Sequence, residues 1–173
     1  MNLAKLVRTI PDFPKEGIMF RDITTILKDP DGLSESIRQL REAVKDLEYD
    51  VIVGPESRGF IFGVPIAVEE HKGFVPVRKP GKLPAAVYSQ EYDLEYGTST
   101  LELHKDALQP GQRVLVTDDL LATGGTAEAI AKLVEQAGAK VVGFAFLVEL
   151  VDLGGRDKLK DYPVRTLIQY EGE

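Results

Sequence analysis

The sequence predicts an α/β fold: a mostly parallel central sheet flanked by helices. Three observations predict it. Short apolar runs at residues 51–53, 113–117 and 141–148 lack polar alternation, as strands covered on both faces do. Between them, apolar residues recur at helical spacing. The two patterns alternate along 173 residues, an ordinary length for one domain, with no repeat, low-complexity tract or linker to divide it.

Each element has its own local reason. Leu3, Leu6, Val7 and Ile10 follow helical spacing until Pro11 ends the pattern. Residues 11–24, PDFPKEGIMFRDIT, are punctuated by Pro11, Pro14 and Gly17 and read as irregular. A helix then carries Leu33, Ile37, Leu40, Val44 and Leu47, with Asp29 as its cap and Pro30 in its first position. The strand at 51–53 leads through GPESRG into a helix reaching roughly Glu70, and 74–78 is another strand. Residues 79–97 hold Pro80, Gly81, Pro84 and Gly97, and a connection of that length is disordered, a lid or a β-arm. Residues 99–104 alternate as a strand, DALQPGQ turns, and 113–117 is again a strand. Ile130, Leu133, Val134 and Ala137 line one face of a helix over 126–137, with Gly138 where a helix ends. Strands at 141–148 and 164–170 complete the chain.

Composition narrows the function. The formal charge of −7 argues against a general nucleic-acid binder, which needs clustered Lys and Arg. One basic cluster, Arg78, Lys79 and Lys82 in VRKPGK, is small enough to serve a small anion. The absence of cysteine rules out disulfides and thiolate metal sites. MNLAKLVRTI lacks the apolar core of a signal peptide, and the apolar runs are too short for a membrane span. The expected location is the cytoplasm.

Residues 113–126, RVLVTDDLLATGGT, pose the central question. A Thr-Gly-Gly-Thr turn opening a helix presents amides without helical partners, and glycine lets an anion approach them closely. Yet Asp118 and Asp119 stand immediately upstream, where they repel a phosphate. No Walker pattern and no GxGxxG supports a common nucleotide fold. A ligand with a phosphate at one end and vicinal hydroxyls in the middle removes the contradiction. The turn then takes the phosphate, the carboxylates take the diol, and the same carboxylates stabilise positive charge developing at the sugar carbon.

VLVTDDLLATGGT resembles the phosphoribosyl pyrophosphate signature of the type I phosphoribosyltransferases. With GIMFRDIT upstream and RKPGKLP and EYG between, the chain looks like the adenine-specific members over nearly its whole length. The resemblance implies a type I phosphoribosyltransferase fold in a single domain over 1–173, with a small N-terminal hood within 1–32 and a mobile lid loop at 79–97. It implies a purine-salvage reaction, adenine plus phosphoribosyl pyrophosphate giving AMP and pyrophosphate, with Mg2+ carried mainly by the pyrophosphate and no assigned protein ligand. Asp118 and Asp119 would take the ribose hydroxyls, and Ala122, Thr123, Gly124, Gly125 and Thr126 the 5′-phosphate. Glu56, Ser57 and Arg58 would form the pyrophosphate loop, with a cis peptide at Glu56–Ser57. Arg78, Lys79, Lys82 and Tyr96 would add pyrophosphate contacts, Arg78 reaching the neighbouring site of a homodimer. Met19, Phe20 and Arg21 would hold adenine by a stacked ring and backbone groups, and Glu95 would act as acid–base partner of the base nitrogen. Thr98, Ser99 and Thr100 stand where some relatives carry Lys-Ala-Glu.

Two rivals remain at this point. A relative using a 6-oxopurine needs a lysine in its base pocket, and Lys158 and Lys160 fall in what reads as a surface helix. A regulator that keeps the ribose-phosphate site but binds nucleic acid needs an added segment or a basic face, which this composition lacks. His71 and His104 form no ligand or triad pattern.

Overall fold

The computed structural model describes residues 1–94 and 97–172, so Glu95, Tyr96 and Glu173 lie outside the described residues. In chain order the elements are β1 (Arg8–Pro11), β2 (Met19–Asp22), α1 (Thr24–Leu27), α2 (Pro30–Ala43), β3 (Val51–Pro55), α3 (Arg58–Glu69) and β4 (Gly73–Val77). Then come β5 (Val87–Asp93), β6 (Thr98–His104), β7 (Arg113–Leu121), α4 (Gly125–Gln136), β8 (Lys140–Leu150) and β9 (Val164–Tyr170). Five strands form one sheet in the order β4-β3-β7-β8-β9, and every pairing in it is parallel.

The sheet is covered on both faces, which is why its strands are apolar without alternation. On one face α2 and α3 bury Leu40, Phe62 and Ile66 against Ile52, Leu115 and Leu147. On the other, α4 buries Ile130 and Leu133 against Val53, Val116, Phe144 and Phe146. The cap of α2 is as expected: Asp29 accepts hydrogen bonds from the amides of Asp31 and Gly32, and Pro30 opens the helix.

Four segments differ from the sequence reading or sharpen it. The N-terminal helix is a single 3-10 turn, Leu3–Leu6, followed by β1. So short a segment cannot offset helix nucleation, and β1 instead pairs antiparallel with β2, where Arg8 meets Asp22 across the register. The supposedly irregular stretch at 11–24 therefore contains β2. Within 79–97, residues 87–93 form β5, which pairs antiparallel with β6, so this connection contains a β-arm. Finally, the region of Lys158 is a pair of 3-10 turns, Val151–Leu153 and Gly155–Leu159, and Gly155 and Leu159 are buried.

One topological feature positions everything else. The β3 ladder on β7 ends at Val53↔Val116, whereas β8 continues beside β7 through Leu121. From β3 the chain winds outward through α3, and from β7 it winds the other way through α4. The carboxyl ends of β3 and β7 thus diverge at the point where the winding reverses, which is where open α/β sheets form a crevice. Asp118 and Asp119 stand beside that opening, inside a strand longer than the 113–117 that apolarity alone suggests. No helix among the described residues is long and apolar enough to cross a membrane.

Candidate active site

The two acids have different partners within the chain. The Asp119 carboxylate is almost fully buried and lies 3.0 Å from Nε of Arg58, the first residue of α3. Asp118 Oδ1 accepts the backbone N–H of Asp119 at 2.8 Å. Burial pushes the Asp118 carboxyl well above the usual carboxylate range, and the neighbouring Asp119 charge pushes the same way, against the opposing pull of the Asp119 N–H and of Arg58. The site therefore holds one paired carboxylate and one that is costly to ionise.

Beyond β7 the chain turns through residues 122–124. Gly124 is the N-cap of α4 with φ +88, a left-handed conformation that favours glycine, and no side chain caps the helix. The helix starts at Gly125, one residue earlier than expected, so Thr126 lies inside its first turn and does not cap it. The first amides of α4 face a cavity of about 210 Å³ lined by Arg58, Asp118, Asp119, Ala122, Thr123, Gly124, Gly125 and Thr126. A positive helix end and a guanidinium thus meet two acids across one small space.

The start of α3 shares its chemistry. The Glu56–Ser57 peptide is cis, as the resemblance implied. Ser57 occupies the N-cap position, yet its side chain makes no capping bond. Glu56 Oε1 accepts the Lys79 N–H at 2.9 Å and Arg78 Nε at 3.1 Å. Those contacts, the Lys79 amide first and then the Arg78 charge, outweigh burial and hold Glu56 below its ordinary value. Arg78 is fixed in place by backbone bonds in both directions with Glu102. Lys79 and Lys82 are exposed on the following turn, and neither lines this cavity.

A second cavity, about 300 Å³, lies under the hairpin β1–β2. Ile18, Met19 and Phe20 form one wall, and Leu120, Val148, Leu150 and Leu153 form the other. The Phe20 ring packs edge-on against Phe13, with centroids 5.2 Å apart. Arg21 stacks its guanidinium 4.0 Å over the Tyr170 ring and donates to Thr9 Oγ1 at 2.8 Å, so its side chain braces the hairpin. Because β2 among the described residues pairs only with β1, alternate residues along it direct N–H and C=O to an open edge. Arg58 and Asp119 line both cavities, which makes them a common wall.

The structure thus brings together Arg58, Asp118, Asp119 and the turn at 122–126, with Met19, Phe20 and Arg21 on the adjoining chamber. It ties Glu56 to Arg78. Glu95 and Tyr96 lie outside the described residues. His71 ends up just past α3 and His104 at the end of β6, where its Nε2 accepts the Ala85 N–H. Among the described residues, no group of three or more His, Cys, Asp or Glu is arranged to hold a metal ion. The reading from residue pattern missed the apolar wall of Leu120, Val148, Leu150 and Leu153, because plain leucine and valine at strand ends look the same in a core or in a pocket. It also missed Gly155, although a Gly-Gly pair is a signal of close backbone approach.

Comparison with known proteins follows the same line. The family profile described as phosphoribosyl transferase domain matches residues 22–171. The adenine phosphoribosyltransferase of Lachnoclostridium phytofermentans is 58% identical over 171 residues, covering 99% of this chain and 98% of that protein. The crystal structure of adenine phosphoribosyltransferase from Thermoanaerobacter pseudethanolicus superposes with a TM-score of 0.94 at 54% identity, covering 97% of this chain and 98% of that one. The Saccharomyces cerevisiae enzyme, solved with adenine and an imino-altritol bisphosphate, gives 0.89 at 43% identity, covering 95% of this chain and 96% of that one.

Proposed function

The chain belongs to the adenine phosphoribosyltransferases, within the phosphoribosyltransferase family, and from that premise we propose how its residues divide the joining of adenine to phosphoribosyl pyrophosphate. The observation that carries the division is the common wall: Arg58 and Asp119 separate an apolar chamber from a phosphate-sized one. A flat base in the first and a 5′-phosphate in the second put the anomeric carbon beside the acids.

In the reaction the bond from the anomeric carbon to pyrophosphate breaks, a bond to a ring nitrogen of adenine forms with inversion, and the proton on that nitrogen passes to a base, the role that the resemblance gives Glu95. The pyrophosphate leaves with the bonding electrons, and the sugar passes through an oxocarbenium-like state. The amides of Gly125 and Thr126, with the hydroxyls of Thr123 and Thr126, hold the 5′-phosphate. Asp118 and Asp119 accept the ribose hydroxyls and offset the charge on the sugar. Accepting a diol adds hydrogen bonds to the Asp118 carboxylate, so substrate favours its ionised form. Arg58, already beside Asp119, moves its remaining donors to the pyrophosphate, where its fork suits two oxygens. Ser57 and Glu56 shape that loop.

Adenine rests against Phe20 and the leucine wall, and backbone groups of Met19 and Arg21 on the open edge of β2 read its amino side. Apolar walls with few polar groups suit a neutral, flat ligand. Mg2+ carried by the pyrophosphate would supply neutralisation of the leaving group, held mainly by the substrate, with Asp118 and Asp119 as the carboxylates that line the same cavity. The β-arm closes over the sugar and excludes water. The roles of Glu95 and Tyr96 rest on resemblance alone. Arg78, with Lys79 and Lys82 beside it, serves a neighbouring subunit in a homodimer, released from Glu56 to do so. A cytoplasmic setting in purine salvage fits a chain without cysteine.

The 6-oxopurine reading loses support from Lys158, which lines a space between the arm and α4 and not the base chamber. The test offers adenine, hypoxanthine, guanine and xanthine separately with phosphoribosyl pyrophosphate and Mg2+, and follows pyrophosphate release. Turnover with adenine alone is expected. Turnover with a 6-oxopurine overturns the assignment of the hairpin, and no turnover with any base overturns the enzyme.

A further inference from the structure

The segment after β8 runs beneath both cavities and is anchored twice. Its first half, beside Leu150 at the end of β8, supplies Leu153 to the base chamber, and there Asp152 accepts the Gly172 N–H at 2.5 Å. After Gly154, whose φ is +71, the second half turns to the phosphate side. A Cβ on Gly124 would lie 2.8 Å from the Gly155 carbonyl oxygen, and a Cβ on Gly155 would lie 2.6 Å from the Ala122 carbonyl oxygen and 2.7 Å from Leu121 Cδ1. The backbones of residues 122–124 and of Gly155 are therefore in direct contact, with no room for a side chain between them.

Its neighbour Arg156 is tightly anchored. Arg156 Nε lies 2.8 Å from Glu149 Oε2 and 3.1 Å from Oε1, and its other nitrogens reach the Val164 carbonyl at 3.2 Å and Thr166 Oγ1 at 3.4 Å. The Glu149 carboxylate is only 4% exposed and also accepts Thr166 Oγ1 and Gln169 Nε2. A buried carboxylate with that many donors is a fixed point. It holds Arg156, the residue next to Gly155, to the ends of β8 and β9.

We propose that Arg156 and Gly155 are positioning residues for the 5′-phosphate turn: the Glu149–Arg156 pair clamps the Gly155 backbone against Gly124 and holds the turn in its anion-binding shape. This rests on the phosphoribosyltransferase reading given above. The base half of the segment has its own anchor, so the clamp acts on one substrate only.

The test is a steady-state comparison in which KM is measured for each substrate at saturating levels of the other. Arg156→Gln should raise KM for phosphoribosyl pyrophosphate about tenfold or more while KM for adenine changes less than about twofold. Gly155→Ala, which leaves the ion pair intact, should give the same split, and it covers the case in which Arg156→Gln does not fold. Leu153→Ala should show the reverse split. Glu149→Gln combined with Arg156→Gln removes the stranded buried charge, so Tm should recover relative to Arg156→Gln while the raised KM persists. Recovery of KM together with Tm, equal rises in both KM values, or no rise in either overturns the proposal. Absence of adenine turnover in the unsubstituted protein overturns the underlying reading instead.

Discussion

Arg58 Nε stands 3.0 Å from Asp119 Oδ2, joining the first turn of α3 to a carboxylate deep in β7. The pair spans the gap where β3 and β7 part, and it forms the wall shared by the two cavities. Truncating it at Arg58→Ala strands a buried carboxylate and removes an anion donor at once. Turnover should fall by about 10²-fold or more, the scale of losing one preorganised donor to developing charge. Thermal unfolding should also shift downward. Kinetics beside a melting curve check both, and a change in stability alone would remove Arg58 from the machinery.

Asp118 gives the opposite stability signature. Burial and the Asp119 charge raise its folded-state pKa, so its contribution to stability is present at low pH and is lost as pH rises through the folded value. A neutral amide avoids that loss while its oxygen still accepts the Asp119 N–H. Asp118→Asn should therefore match or exceed the unsubstituted protein in Tm at pH 8 and converge with it at pH 4. Turnover should drop about tenfold or more because the ribose diol loses its charged acceptor. A parallel loss of Tm and activity would favour a structural role.

Asp22 ties the hairpin of the base chamber. Hydrogen bonds from the Thr24 hydroxyl, from Arg8 and from the Thr24 amide lower its pKa from 3.8 to about 2. The folded value is below the unfolded one, so this stabilisation is complete above about 3.8 and is lost as pH falls toward about 2. Asp22→Asn should lower Tm at pH 6 and make little difference at pH 2. Its KM for adenine should rise with KM for phosphoribosyl pyrophosphate little changed. Melting curves across that range and two KM measurements settle it.

Arg78 is paired with Glu56 of its own chain, and a site shared across a dimer asks it to serve a partner. Chains carrying Arg78→Ala, mixed with chains carrying Asp118→Asn and Asp119→Asn, rebuild one complete site per hybrid under that arrangement. Activity of the mixture should then exceed the sum of the two parents severalfold. Strict additivity after verified subunit exchange would place Arg78 in its own chain's site.

Much of the fold was legible because it depends on local rules. Asp29-Pro30 opened α2, Gly138 closed α4, and unbroken apolar runs at 141–148 marked a strand covered on both faces. RVLVTDDLLATGGT by itself determined the acid pair and the anion turn, since both needs are written in consecutive residues. What only the tertiary structure decided involves partners distant in sequence. Arg8 with Asp22 made a hairpin of what spacing suggested was a helix, because a cross-strand ion pair and a ladder outweigh one unsupported helical turn. The end of the β3 ladder at Val116 opened the crevice that gives Asp118 and Asp119 something to face. Leu150 and Leu153 became a pocket wall, and Gly155 the support of Gly124, only when β8 and its following turns folded back under the site. An apolar side chain or a glycine carries no mark of what it will touch, and packing assigns that.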